Sequence, residues 1–226
     1  MLFDRNTCLR ILPCVDPYGN LAAEEALLTG RCEDYILLWR NAPCVILGKN
    51  QCAEAETSAQ CRSEVPVLHR STGGGAVYHD LNNINYSFIR TEKEMTDVQC
   101  FLHIIVDFLH QFDINVVFSG RNDLLFPDGS KISGCAFRRA DNRTLVHGTL
   151  LFRRDAEKME RYLTPSPEKL LRHGVASVRS RTGELAPFLP FDTAEACMQA
   201  LYTYLENRLK ESSCAYNTEA SGRGDT

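Results

Sequence analysis

Two hydrophobic periods alternate along the chain. Short stretches repeat every second residue or run wholly apolar, as strands do, and longer ones repeat every three to four residues, as helices do. Residues 35–40 and 44–47 read as strands, with Asn41-Ala-Pro43 between them as a hairpin turn. Residues 65–68 form a short apolar strand, residues 85–89 alternate as another, and residues 114–118, 124–126 and 144–152 read as further strands. Pro127-Asp-Gly-Ser130 is a strong turn signal, so Lys131 opens the returning strand; Ala140-Asp-Asn-Arg143 is a second polar turn. Asn20 is positioned to cap a helix over residues 21–29 that Gly30 ends. Thr96 caps a helix to about Phe112, with Val98, Phe101, Leu102, Ile105 and Leu109 on one face. Residues 155–162 make a short helix. Thr193 caps a final helix to about Lys210, burying Ala194, Cys197, Leu201, Tyr204 and Leu205.

Helices interspersed among hairpin-like strands predict an α/β (α+β) fold, a mixed β-sheet flanked by helices. The chain shows no internal repeat and no Pro-, Gly- or Ser-rich linker, so residues 1–210 are read as one domain. Residues 211–226, small and polar, are expected to lack regular structure.

Composition narrows the function classes. The 226 residues are 44% hydrophobic and 24% charged, as in ordinary globular proteins. A net charge of −4 argues against a general nucleic-acid binder. No apolar run is long enough to span a bilayer, and the N-terminus lacks the charged start and apolar core of a secretory signal, so a cytoplasmic location is expected. Ten cysteines without a CxxC pair read as free thiols of a reducing compartment, since disulfide frameworks belong to small secreted domains.

The most informative stretch is Arg70-Ser-Thr-Gly-Gly-Gly-Ala-Val-Tyr-His-Asp80. Three consecutive glycines let a ligand lie against the backbone, whose N–H groups can cradle a carboxylate or phosphate; an adjacent Arg adds a fixed charge. A tight turn or bulge would use the same residues. In Gly120-Arg-Asn-Asp123, Asn122 and Asp123 suit a turn, or could orient a metal-bound phosphate. In Lys131-Ile-Ser-Gly134 a strand lysine beside a glycine could hold one ammonium in a pocket, against the commoner fate of a solvated hairpin lysine. Arg138 lies seven residues on, so it shares the face of Lys131 only if the strand is bulged or bent. His147-Gly148-Thr149 interrupts an apolar strand, and Gly148 there hints at close backbone approach.

Taken in order, these segments, with His147-Gly-Thr-Leu-Leu151 and Ser177-Val-Arg-Ser-Arg181, closely resemble the catalytic domain of the lipoate–protein ligases over residues 10 to 210. The resemblance implies the biotin/lipoate ligase fold, related to class II aminoacyl-tRNA synthetases. It also implies two half-reactions. Lipoate and ATP give lipoyl-AMP and pyrophosphate, and the lipoyl group then passes to a lysine of an acceptor domain of 2-oxoacid dehydrogenases or of glycine-cleavage H protein. By the same resemblance, Lys131 is the catalytic lysine. Arg70, Ser71, Gly73, Gly74, Gly75, Arg138, His147, Gly148 and Thr149 line the lipoyl side. Val77, Tyr78, Asn83, Asn122, Gly134 and Ala136 join Lys131 on the nucleotide side, with Asp123 as the Mg²⁺ ligand.

Three departures stand out. His69-Arg70 replaces a family Arg-Arg, Leu81-Asn82-Asn83 replaces Leu-Gly-Asn, and the accessory C-terminal domain of two-domain ligases does not follow. The third leaves three expectations side by side: a self-sufficient ligase, a transferase using supplied lipoyl-AMP, or a catalytic subunit with a separate small partner protein. A cysteine-thioester transferase, with Cys135 as nucleophile, is a further mechanism to test. Arg138, Arg139, Arg143, Arg153 and Arg154 are a basic stretch that could steer an acidic acceptor. Arg223-Gly-Asp225 matches an adhesion tripeptide and is read as coincidence.

Overall fold

The structure, a computed structural model, describes residues 3, 6–30, 33–91, 97–120, 122–140, 142–163 and 181–221. The chain order is β1 (Cys8–Ile11), α1 (Pro17–Gly30), β2 (Tyr35–Trp39), β3 (Cys44–Leu47), α2 (Ala53–Glu56), α3 (Ala59–Glu64), β4 (Val67–His69), β5 (Val77–His79), β6 (Asn83–Thr91) and α4 (Val98–His110). It continues with β7 (Val117–Ser119), β8 (Asp123–Leu125), β9 (Lys131–Ala140), β10 (Arg143–Leu151), α5 (Ala156–Tyr162), a 3₁₀ turn (Ala186–Phe188) and α6 (Ala194–Ser221).

Seven strands form a mixed sheet in the order β1-β2-β6-β10-β9-β8-β7, parallel at β1–β2 and antiparallel elsewhere. A second sheet, β4-β3-β5, pairs β3 parallel to β4 and antiparallel to β5. The expected hairpin around Asn41-Ala-Pro43 is therefore not one: β2 and β3 belong to different sheets. Both strands are buried throughout, and a wholly apolar run carries no facing information to fix its partner.

The two faces of β6 explain the layering. Ile84, Tyr86 and Phe88 point into the main core, with Phe101, Ile105 and Leu109 of α4 and Leu201 and Leu205 of α6. Truncating one such ring, as in Phe88→Ala, would cost about 3–5 kcal/mol. The alternate residues Asn83, Asn85 and Ser87 are polar and equally buried, at 3, 1 and 0% exposure. An alternating strand whose polar face is dry must meet partners or a ligand there, because unpaired polar groups are costly to bury.

Helix starts differ from the pattern reading in an instructive way. α1 begins at Pro17, not after Asn20: Asp16 is the cap, accepting from the N–H groups of Tyr18 and Gly19 at 3.3 and 2.9 Å, with Pro at the first helical position. Asn20 thereby moves inside the helix, onto a buried stripe with Glu24 and Leu28. Asp97 caps α4, and Thr193 caps α6 through the N–H of Ala196; Thr96 lies outside the described residues. α6 runs past Lys210 to Ser221, where composition had predicted irregular chain. All eight cysteines whose side chains are described are free thiols.

Candidate functional site

A cavity of about 480 Å³ lies on the polar face of the large sheet, a volume suited to a small-molecule ligand. Its floor is one row across five strands: Trp39, Asn85, Thr149, Gly134 and Asp123 are register neighbours, and all line it. The next row contributes His147 and Ala136. Along β10 the wall passes His147, Gly148, Thr149 and Leu151, and α5 carries it on with Ala156, Met159 and Glu160.

Lys131 reaches this floor because β9 is bulged. Leu124 faces Ser133 while Leu125 faces Lys131, so one extra residue sits between the pairs. The same bulge supplies the condition set by the seven-residue offset to Arg138. Lys131 Nζ pairs with Asp123 Oδ1 at 2.8 Å, both side chains being about 30% exposed (28 and 30%). Gly134 makes room for this pair, since a Cβ there would lie 2.7 Å from both Cε and Nζ of Lys131. The Lys131 backbone is fixed too: its N–H donates to Arg181 O at 2.7 Å and its carbonyl accepts from Gly183 N at 2.9 Å. Asn122 locks the neighbouring turn, donating through Nδ2 to Cys135 O and accepting from Cys135 N–H.

The glycine segment is held by Arg70. Its guanidinium donates to Gly73 O (2.6 and 3.1 Å), Gly75 O (2.9 Å), Ile46 O (3.3 Å) and Thr72 Oγ1 (3.0 Å). Gly74, at φ +97°, occupies the region that favours glycine, and a Cβ there would meet Arg70 at 2.7 Å. Burial pushes the Arg70 guanidinium down to about 10, which leaves it charged at neutral pH. The fork expected to grip an anion thus clamps the loop that forms the wall.

Behind the wall is a polar network that sequence patterns did not reveal. His147 Nδ1–H donates to the Glu24 carboxylate (2.8 and 2.9 Å), which also accepts from Ser87 Oγ at 2.6 Å; Trp39 Nε1–H donates to Ser87 Oγ at 2.9 Å. His147 Nε2 meets Thr72 Oγ1 at 2.8 Å, tying α1 to the glycine segment. The available signal was the pair Asn20 and Glu24, spaced four apart on a helix stripe that ends in Leu28.

Of the residues expected at the site, Arg70, Gly74, Gly75, Val77, Asn122, Asp123, Lys131, Gly134, Ala136, His147, Gly148 and Thr149 line the cavity together. Five do not. Ser71 and Gly73 belong to the glycine segment but are not among the cavity's lining residues, and Gly73 is exposed. Tyr78 is core, ring to ring with Tyr162 at 5.5 Å. Asn83 ties its turn by accepting the Asp80 N–H at 3.1 Å. Arg138 pairs with Glu25 at 2.6 Å, off the cavity lining. Ser177-Val-Arg-Ser180 lies outside the described residues. Within the basic stretch, Arg143 is buried and bonds Glu33 O, Arg139 lies over Phe137, and the exposed Arg153 and Arg154 bond Asp192 O and Thr182 Oγ1.

Cys135 also lines the cavity, but burial, helped by Asp123, pushes its thiol up to about 12. A thiol held protonated is a poor nucleophile, which argues against the thioester mechanism. Among the described residues, no cluster of three or more His, Cys, Asp or Glu could hold a metal. Nor is any described helix long and apolar enough to cross a membrane.

Residues 16–206 match the lipoyl protein ligase A/B catalytic domain. A lipoate-protein ligase A of Bdellovibrio bacteriovorus is 39% identical over 200 residues, which are 85% of this chain and 59% of that protein. The chain therefore spans well under two thirds of that relative's length. Among solved structures, Plasmodium falciparum LipL1 in complex with lipoate superposes with a TM-score of 0.75 at 28% identity, covering 91% of this chain and 63% of that one. A structure from an analysis of a bi-partite lipoate protein ligase and its E2 lipoyl domain from Thermoplasma acidophilum shares the fold at TM-score 0.75 and 24% identity, covering 92 and 83% of the two chains. On the match over residues 16–206 and the 39% identity, the chain belongs to the lipoyl protein ligase A/B catalytic-domain family.

Proposed function

We propose that this chain is the catalytic unit of an ATP-dependent lipoate–protein ligase of the cytoplasm. It joins lipoate to AMP, releasing pyrophosphate, and passes the lipoyl group to a lysine of lipoyl-acceptor domains. The observation that carries this is the Lys131 ammonium, held over Gly134 on the floor of a cavity whose wall is the Arg70-clamped glycine segment. An ammonium placed there attracts the lipoate carboxylate and the α-phosphate, and stabilises the charge that grows on the phosphate as the carboxylate attacks. In the second step the same charge favours departure of AMP as the acceptor lysine attacks the acyl carbon.

Asp123 keeps Lys131 aimed before substrate enters, and the ammonium can leave it for phosphate oxygens. Mg²⁺ typically takes one or two carboxylates plus substrate phosphates. Asp123 fits that limited role; its contribution would be one oxygen ligand beside ATP, supplying charge neutralisation. His147 and Glu24 brace the far wall, and Trp39 and Leu21 offer apolar surface for the lipoyl chain. Of the expected site residues off the cavity wall, Ser71, Gly73, Tyr78 and Asn83 act as supports, and Arg138 holds α1 through Glu25.

The test is pyrophosphate release by the purified chain with lipoate, ATP and Mg²⁺, followed by lipoylation of an apo acceptor domain. Release with lipoylation supports a self-sufficient ligase. A second reading is a catalytic unit that takes lipoyl-AMP as supplied and carries out only the transfer step. In that case release is absent alone, while added lipoyl-AMP still lipoylates the acceptor. Failure of both overturns the proposal.

A further inference from the structure

A chain of hydrogen bonds behind the cavity has a fixed direction, and it ends in an unused donor. It begins at Asn20, whose side-chain nitrogen lies 3.1 Å from the carbonyl oxygens of both Cys14 and Arg40. Carbonyls only accept, so that atom is the amide nitrogen and not its oxygen. Its two hydrogens are shared among these carbonyls and a third acceptor, Asn41 Oδ1, at 2.9 Å; the amide atom of Asn41 that faces a donor is its oxygen. The other end of the Asn41 amide is then Nδ2, which faces His79 Nδ1 at 3.2 Å. A donor there makes Nδ1 an acceptor without a proton. His79 is buried, and that burial pushes it down to about 3, so the ring is neutral and its one proton sits on Nε2. Nε2–H donates to Thr149 Oγ1 at 3.2 Å. The Thr149 hydroxyl must spend its own hydrogen elsewhere, and it donates to Asn85 Oδ1 at 2.7 Å.

The polarity of Asn85 is therefore set from more than sixty residues away. Its oxygen faces Thr149, and its Nδ2 has no partner among the described residues, although Asn85 is only 1% exposed and lines the cavity. Native proteins rarely leave a buried amide donor unpaired. Asn85 lies on the floor row between Trp39 and Thr149, and Lys131 stands over Gly134, the next member of that row. Asn85 and Gly134 are two strands apart, about 10 Å at the backbone, and Asn85 and Lys131 both line the same cavity.

We infer that Asn85 Nδ2 is the donor to the acyl oxygen of the substrate, the neutral partner of Lys131 across the carboxyl group. This deepens the acyl-adenylate reading and rests on it. Of the two carboxylate oxygens, one attacks the α-phosphate beside Lys131, and the other stays on Asn85. During transfer that retained oxygen is the one that gains negative charge when the acceptor amine adds to the carbonyl carbon. A fixed N–H there serves as an oxyanion donor. Asn20, Asn41 and His79 are positioning residues that act through Thr149.

Two stable analogues of the acyl-adenylate with equal charge separate the possibilities. A β-ketophosphonate of AMP keeps the acyl oxygen, and an alkyl phosphodiester of AMP lacks it. Their affinities would be measured by calorimetry for the unaltered chain, for Asn85→Asp and for Asn85→Ala. Asn85→Asp keeps an acceptor for Thr149 and lacks the amide donor, and circular dichroism of both variants checks that each still folds. The unaltered chain should favour the ketone by about tenfold, and both variants should bind the two analogues within about twofold. If the preference survives in both variants, Asn85 is not the donor, and the acyl-adenylate reading still stands. If the unaltered chain binds neither analogue, that reading falls and the assignment of Asn85 falls with it.

Discussion

Gly134→Ala tests whether the placement of Lys131, and not merely its presence, sets the rate. The added methyl would lie 2.7 Å from both Cε and Nζ of Lys131 and 3.4 Å from Asp123 Oδ1. Ordinary carbon contacts need about 3.5–4.0 Å, so the end of the lysine must move by about 1 Å. The atoms in the way are the tip of a flexible, part-exposed chain, so the fold should absorb the methyl; Ala in place of Gly in a strand is itself favourable by about 0.5–1 kcal/mol. Misplacing a reacting group by about 1 Å can lower the rate by about 10²-fold. The variant should therefore melt within a degree or two of the unaltered protein yet lose about two orders of magnitude in kcat, measured as lipoylation of an acceptor domain from supplied lipoyl-AMP. Unchanged kcat with an unchanged melting temperature would refute the claim that Gly134 exists to seat the ammonium.

Gly148→Ala should behave oppositely, because its methyl would run into the hydroxyl of Tyr86, which is fully buried and bonded to Ser133; overpacking of this kind costs about 1–3 kcal/mol, visible in urea unfolding. Cys135→Ser should keep transfer activity within about threefold, since a thiol pushed up to about 12 contributes no thiolate; loss of transfer would revive the thioester mechanism. His79 has an ordinary value of 6.5 and a folded one of about 3. Between them the unfolded chain binds a proton that the fold does not, so stability falls as pH drops through that window, by up to about 1.4 kcal/mol per pH unit. His79→Gln should flatten this slope between pH 6 and pH 4 (about that range) in chemical unfolding; an equal slope would show that His79 does not stay neutral.

What the sequence made legible was local chemistry. Residues 44–47 form β3 as predicted, Pro127-Asp-Gly-Ser130 turns the chain so that Lys131 opens β9, and the ordered motifs converge on one cavity. These depend on side-chain period and turn preference, which act over a few residues. Non-local pairing stayed hidden. β2 and β3 are both wholly apolar, and nothing in either run says that they join different sheets. The clamp formed by Arg70 could not be read, because an Arg beside glycines looks the same whether it grips a ligand or the loop's own carbonyls. Asn20, Glu24 and His79 have meaning only once α1, β5 and β10 meet, at separations of up to 123 residues. A weaker clue was present in β6. Asn83, Asn85 and Ser87 alternate with Ile84, Tyr86 and Phe88, and a strand central enough to need the second set has a polar face that must also be enclosed.

The most direct test of the account is lipoyl transfer from supplied lipoyl-AMP to an apo acceptor domain, followed by intact-mass analysis, for the unaltered chain and Lys131→Ala. Supplying the adenylate removes any need for a partner in the first step. The account predicts acceptor lipoylation by the unaltered chain and none above background by Lys131→Ala, with equal melting temperatures. Transfer by Lys131→Ala at the unaltered rate would contradict the role assigned to this ammonium.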